Sequence, residues 1–248
     1  MILELLAQEK RGLASYARVC KEWQAVIEKK NFGRLKLRAS CLDDFEHMVS
    51  RQRELVKHIW LNIELRAYTC RSCQMLESFS WKSGNNSVAR EAISKLFSIL
   101  STWNPASDGL TLEISAQSPS DSEHWFKNCY LGADDEDEDA TFDSGNQLQK
   151  TASKLHDPKH GWVDGQQVAA PDEGTILRLC QEVELNFKEK LPKVHAVTRF
   201  VLRRQCRRRF APRTLGLLLD KLPRLECIVY EPWRVWGRME QQINDMGK

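Results

Sequence analysis

Two pairs of soft ligands stand out: Cys70-x-x-Cys73 and His156-x-x-x-His160. Thiolate and imidazole are zinc ligands, and a structural zinc site takes four of them at the corners of a tetrahedron. However, 82 residues separate Cys73 from His156, against the ~12–15 of a compact finger. A single C-x-x-C is more often loop packing, so the spacing predicts no metal and no cofactor. A site would have to be assembled across the fold. Redox use of the pair would need a βαβ setting that the flanking residues lack. A second group is basic: Arg203, Arg204, Arg207, Arg208, Arg209 and Arg213. Guanidinium forks bind carboxylates and phosphates bidentately, which suits an acidic or phosphorylated protein ligand. The bland alternative is a solvated turn, neutralised by the Asp134–Asp139 run. Nucleic acid would also attract such a cluster, but no nucleic-acid module accompanies it, and nucleic acid is not the expected partner. A third group, Trp233, Arg234, Trp236 and Arg238, has the residue types of binding hot spots; Trp233 could equally close a core. No P-loop, G-x-G-x-x-G, G-x-S-x-G or H-E-x-x-H occurs. No catalytic residue is therefore assigned, and the expected protein is not an enzyme.

These groups need a scaffold, and the composition supplies one. The 248 residues are 42% hydrophobic and 29% charged, with 12 Gly and 8 Pro, which excludes wholesale disorder and fibrous classes. No run reaches the ~18 apolar residues of a membrane span, and MILELLAQEK lacks the basic leader of a secretory signal. No membrane partner is expected. The eight cysteines then point to a reducing, intracellular setting, cytoplasmic or nuclear. The net charge of +3 hides an asymmetry: residues 1–103 carry +6, residues 104–174 carry −11 and residues 175–248 carry +8.

Periodicity places the elements. Ile2, Leu3 and Leu6, then Leu13 and Ala17, then Trp23, Val26 and Ile27 form three short helical stripes. Period-two runs at RLKLR, KHIWLNIEL and LTLEI predict strands. Ser40 with Asp43 predicts a capping box, followed by a helix burying Leu42, Phe45 and Met48. Asn86 or Ser87 should cap a helix whose inner face is Ala89, Ile93, Leu96, Phe97, Leu100 and Trp103. Ile176, Leu179, Cys180, Val183 and Phe187 predict one helix over 173–190. Residues 115–171 read as an acidic insertion, largely disordered from about 133 to 154, its ends pinned by Trp125, Phe126, Tyr130 and Trp162. LPKVHAVTRFVLRR and LPRLECIVYEPW align at an offset of 31 residues, pairing Leu191 with Leu222 and Val197 with Ile228. Stacked helix–strand units of this length describe a leucine-rich-repeat-like solenoid; an irregular α/β sandwich is the second choice.

The N-terminal residues carry a resemblance. Ile2-Leu3-x-x-Leu6, Leu13, Val19-Cys20-Lys21-x-Trp23, Ile27, Phe32 and Leu35 resemble the F-box motif, with VCKEW its most specific part. The Leu-Pro-x-Glu opening usual in that motif does not precede Ile2, so the module reads as incomplete. The resemblance covers residues 1 to about 37, and the chain as a whole is similar in style to fungal F-box proteins. Together with the periodicity, it gives an α/β protein: a three-helix F-box-like module (1–37), repeat-like α/β units (38–114), the acidic insertion (115–171) and further repeat-like units with a Trp/Arg-rich tail (172–248). It implies that Ile2, Leu3, Leu6, Leu13, Val19, Cys20, Trp23 and Ile27 form or support the surface for a Skp-family adaptor, and through it a cullin scaffold. The repeat region would then hold an unidentified target protein for ubiquitin transfer by other subunits. A free-standing leucine-rich-repeat scaffold, with the first helices as a solenoid cap, is the alternative.

Overall fold

The alternating runs of the sequence become strands that pair in the order in which the chain makes them. The computed structural model describes residues 20–104, 109–127, 156–187, 189–204, 206 and 208–231. In chain order these form α1 (Lys21–Gly33), β1 (Arg34–Arg38), α2 (Leu42–Met48), β2 (His58–Glu64), α3 (Phe79–Ser101), β3 (Leu110–Gln117) and α4 (Pro119–Glu123). There follow β4 (Trp162–Val163), β5 (Gln166–Gln167), α5 (Glu173–Leu179), β6 (Glu182–Val183), β7 (Val197–Leu202), β8 (Arg209–Phe210), α6 (Pro212–Leu219) and β9 (Cys227–Tyr230). The main sheet has the order β1-β2-β3-β7-β9, every neighbouring pair parallel. This is a mixed α/β fold around a parallel sheet.

Because strand side chains alternate, register decides what each face carries. Leu37 lies opposite Leu61, Leu61 opposite Ile114, and Leu112 opposite Phe200. These residues join Leu42 and Phe45 of α2, Ile93, Leu96, Phe97 and Leu100 of α3, and Leu218 of α6 in one buried core. Each such side chain contributes roughly 1.5–3 kcal/mol by leaving water. The other face is polar. Trp60 Nε1 donates to Ser115 Oγ at 2.8 Å, Ser115 Oγ donates to Asn62 Oδ1 at 3.1 Å, and Lys36 lies 3.9 Å over the Trp60 ring.

Four elements depart from expectation. Helix α3 begins eight residues earlier than the predicted cap at Asn86, with Ser78 accepting from Trp81 N. Its turn-like stretch Gly84-Asn85-Asn86 stays helical because Asn85 is buried and bonded: Oδ1 accepts from Arg66 N, while Nδ2 donates to Glu77. Gly84 makes room, since a Cβ there would meet Arg66 Nη1 at 2.6 Å. The predicted helix over 173–190 stops at Leu179. Its periodic residues Leu179, Cys180 and Val183 are buried as expected, but Val183 enters a parallel pairing with Phe210, and a strand ladder replaces helical hydrogen bonds. The Ser40–Asp43 box does not form: a 3-10 turn occupies 39–41, the Cys41 cap position has no side-chain hydrogen bond, and Met48 is exposed while Val49 is buried. Finally, the repeat offset and the ladder differ. Leu191 and Leu222 are both buried, and Val194 N donates to Lys221 O. The ladder nevertheless sets Phe200, rather than Val197, opposite Ile228.

The α3–β3 connection returns through Gly109, whose φ of +70° lies in the left-handed region, and a Cβ there would fall 2.0 Å from Thr198 Oγ1. Gly109→Ala should therefore lose about 2 kcal/mol from strain and clash. Urea unfolding measures this, and a loss under 0.5 kcal/mol, on the order of an ordinary surface change, would show that the turn relaxes freely.

Candidate functional site

In a parallel sheet every loop leaving a carboxyl end emerges on the same edge, which is where such folds gather chemistry. Here the loops after β2, β3 and β7 meet there. Residues 65–78 follow β2, α4 and residues 124–127 follow β3, and Arg203–Arg208 follow β7. A charged pair holds them: Arg208 Nη2 lies 2.7 Å from Glu77 Oε1, with side-chain exposures of 2% and 1%. Tyr68 Oη donates to Asp121 Oδ1 at 2.9 Å, and Asp121 closes a capping box with Ser118 at the start of α4. Burial pushes the Asp121 carboxyl above the usual carboxylate range, against the pull of Arg208. Burial, reinforced by Asp121, pushes the Tyr68 phenol up as well. Arg178 reaches in from α5, its Nε donating to Met75 O at 2.6 Å.

Beside this network the fold brings together three ligand atoms from the two sequence pairs. Cys70 Sγ lies 3.2 Å and Cys73 Sγ 3.7 Å from His160 Nε2; the three atoms all lie within 4.8 Å of one another. The cysteines share a hydrogen-bonded turn in which Ser72 N donates to Thr69 O and Met75 N to Ser72 O. His160 sits in a 3-10 turn over Pro158–His160 that ends on Gly161 at φ +72°. Its Nδ1 is 2.6 Å from Asp157 Oδ2, and Lys127 Nζ is 3.0 Å from the same carboxylate. Burial alone would raise the Asp157 carboxyl, but the bonds from His160 and Lys127 outweigh it and hold it low. Aromatic rings wall the cluster: His124 stacks on His160 at 4.8 Å, Trp125 meets His160 edge-on at 5.7 Å, and Tyr68 lies 5.4 Å from His124. Burial and then the charge of His160 push the His124 imidazole below its ordinary value, and its Nε2 is buried with no hydrogen-bond partner. Burial and the adjacent Cys70 push the Cys73 thiol up. At the rim, the exposed Lys159 ammonium is favoured by Cys70.

The C-x-x-C does pack, with Tyr68, Trp125, Phe126 and Leu179, and the fold also sets His160 beside it, which spacing along the chain does not suggest. Trp125 and Trp162 close the intervening chain: Trp162 Nε1 donates to Trp125 O at 2.8 Å, and both rings are buried. Only one of the two histidines takes part. His156 is exposed, its Nδ1 3.0 Å from Asp164. Asp157, His124 and Glu77 were not singled out from the sequence; D-x-x-H at 157–160 was the one local signal available for the first.

The arginines do not form one recognition patch. Arg208, expected to face a ligand, is buried on Glu77, because a guanidinium inside the fold must be paired. Arg203 Nε lies 3.1 Å from Glu113, which also takes His58 Nε2 at 2.9 Å. Arg204 N donates to Glu231, and Arg209 lies 4.0 Å from Glu182. Arg204 and Arg213 are exposed. Arg207, Trp233, Arg234 and Trp236 lie outside the described residues, as do Tyr130, the 133–154 stretch, Ile2, Leu3, Leu6, Leu13 and Val19. Of the adaptor-facing set, Cys20 is exposed, Trp23 is half-buried and Ile27 is 3% exposed within this chain, so Ile27 supports helix α1 rather than offering itself to a partner.

No protein-family model, no curated protein and no solved structure matches this chain.

Two outcomes follow from the buried groups. Glu77→Gln strips the charge from the partner of Arg208 and should cost about 3–5 kcal/mol in chemical denaturation; replacing both residues together, Glu77→Leu with Arg208→Met, should recover much of it. Cys206 is fully buried, and desolvation pushes its thiol up to about 11. A raised folded value means stability that is complete below the unfolded thiol value of ~8.5 and lost as pH climbs toward the folded one. Unfolding midpoints should therefore fall across alkaline pH, and peptide mapping at pH ~8 should find Cys206 unlabelled where exposed thiols react.

Proposed function

We propose that this chain is the substrate-recognition subunit, of F-box type, of a cullin–RING ubiquitin ligase. It binds a Skp-family adaptor through residues 1–37 and a target protein through the repeat-like region that follows. The observation that supports the reading most is the strand order: five parallel strands laid side by side in sequence order, joined by helix-bearing segments. That is the arrangement stacked helix–strand units of a leucine-rich-repeat-like solenoid produce. Cys20 to Trp23 of the VCKEW element form the cap and first residues of α1, which leads directly into the first strand of the sheet. In this reading α1 is the last helix of the F-box-like module, anchored through Ile27, and the repeat body begins with no spacer between them.

The target would meet the polar side of the sheet through its exposed residues, among them Lys36 and Arg199, which the buried Trp60, Asn62 and Glu113 underlie. The chain itself performs no bond chemistry in this assembly. Its effect is to raise the local concentration of a target lysine near the transferring subunits.

Co-purification with a Skp-family adaptor tests the reading. The wild-type chain should form a one-to-one complex by light scattering. Trp23→Ala should weaken it at least tenfold, about 1.4 kcal/mol, while leaving the circular-dichroism spectrum unchanged. A folded wild-type chain that forms no complex would overturn the ligase role and leave the free-standing repeat scaffold.

A further inference from the structure

Cys70, Cys73 and His160 bring three ligand atoms within 4.8 Å of one another, and the surrounding groups are those that a metal site uses. Bond lengths of ~2.3 Å to sulfur and ~2.0 Å to nitrogen around a tetrahedral zinc place sulfur and nitrogen about 3.5 Å apart. The two sulfur–nitrogen distances here, 3.2 and 3.7 Å, bracket that value. His160 presents Nε2 to the sulfurs while Nδ1 is held by Asp157 at 2.6 Å. A carboxylate on the far nitrogen fixes the tautomer and ring orientation of a metal-bound histidine. The C-x-x-C lies in a tight turn that turns both sulfurs to one side, and the cluster is enclosed by Tyr68, Trp125, Phe126 and Leu179. A second imidazole, His124, is stacked on the first, with a buried Nε2 that no protein donor meets.

We propose that this chain binds one zinc-class divalent cation through Cys70 Sγ, Cys73 Sγ and His160 Nε2, with His124, whose nitrogens lie outside that three-atom cluster, turning in as the fourth ligand and Asp157 as the residue that orients His160. On binding, each thiol releases its proton to solvent and the two thiolates and two neutral imidazoles share the cation. The geometry favours this over a nucleophilic Cys70–His160–Asp157 relay. A nucleophile needs its sulfur free, whereas here a second thiol competes for the same imidazole nitrogen. The role is structural. The cation ties the loop after β2 to the turn at Pro158–His160 and to the turn after α4, closing the chain on both sides of the 128–155 stretch. The inference does not depend on the ligase reading, since none of its residues belongs to the 1–37 stretch.

The test uses the full chain, reduced, stripped with a chelator and titrated with zinc alone. One zinc should bind per chain, with release of protons, a rise in thermal midpoint, and protection of Cys70 and Cys73 from a maleimide. Cobalt(II) in place of zinc should give the intense visible bands of a tetrahedral site and a thiolate charge-transfer band. His160→Ala and Cys73→Ser should each lower affinity at least 100-fold. His124→Ala should lower it at least tenfold. His156→Ala, in the neighbouring histidine that sequence spacing would equally nominate, should leave it unchanged. Because variants at buried positions can fail to fold, the wild-type titration decides alone: no stoichiometric uptake and no metal-dependent protection of the two thiols would overturn the proposal. Uptake lost in His156→Ala but kept in His160→Ala would overturn this ligand set.

Discussion

A guanidinium and a carboxylate, Arg208 and Glu77, sit 2.7 Å apart inside the protein with almost no solvent access. Removing two ions from water costs several kcal/mol each, and their attraction offsets that only where geometry is close and the other polar groups around them are satisfied. The surroundings are therefore constrained. Asn85 Nδ2 donates to both Glu77 oxygens, Asn85 Oδ1 takes Arg66 N, and Asp121 adds its carboxylate from α4. These groups come from the loop after β2, from α3, from the loop after β3 and from the loop after β7. Pairing one buried charge thus draws the carboxyl ends of three strands together, and it does so even though Arg208 Nε is buried without a hydrogen-bond partner. The pair contributes little net stability by itself; its effect is to make alternative arrangements of these loops costly.

The convergence has a direct consequence for the Cys–His cluster. The Glu77 end of the β2–α3 loop is anchored in the network, and Tyr68 in the same loop donates to Asp121. Between those two anchors lie Cys70 and Cys73, so the turn that carries them has little freedom. On the opposite wall His160 is set by Asp157, and Trp162 is latched to Trp125, which itself meets the imidazole edge-on. Two ring contacts, a carboxylate and a latched indole position a single nitrogen against two sulfurs. This is the pattern expected where side chains around a site hold its ligands in orientation.

The two faces of the sheet divide the remaining work. One is an aliphatic and aromatic core shared with α2, α3 and α6. The other is knitted by lateral polar contacts in which Glu113 is shared between His58 and Arg203, and Trp60 and Ser115 bond across strands. Trp60, Asn62, Glu113 and Ser115 are themselves buried, so these polar groups satisfy one another across the strands rather than facing water.

The sequence by itself determined the local grammar of this protein. Period-two alternation in RLKLR, HIWLNIE and LTLEI marks β1, β2 and β3 because a strand with one apolar face can be written no other way. The helical stripe from Ala89 to Trp103 marks the body of α3, and all six of its residues are buried. Only the tertiary structure decided the rest. The turn-like Gly84-Asn85-Asn86 is helical because Asn85 has partners 8 and 19 residues away, which local propensity cannot register. The stripe from Ile176 to Phe187 breaks after Leu179 because Val183 finds a strand partner in Phe210, and burial without helix satisfies the same periodicity. Arg208 looks like a surface charge in a run of arginines until Glu77 is placed against it. The cysteine pair and His160 are separated by 87 residues in one pairing and 90 in the other, and their meeting depends on which loops a parallel sheet delivers to one edge. Spacing along a chain measures reach, whereas a ligand set is a matter of distance in space, and that distance is set by the packing of everything between.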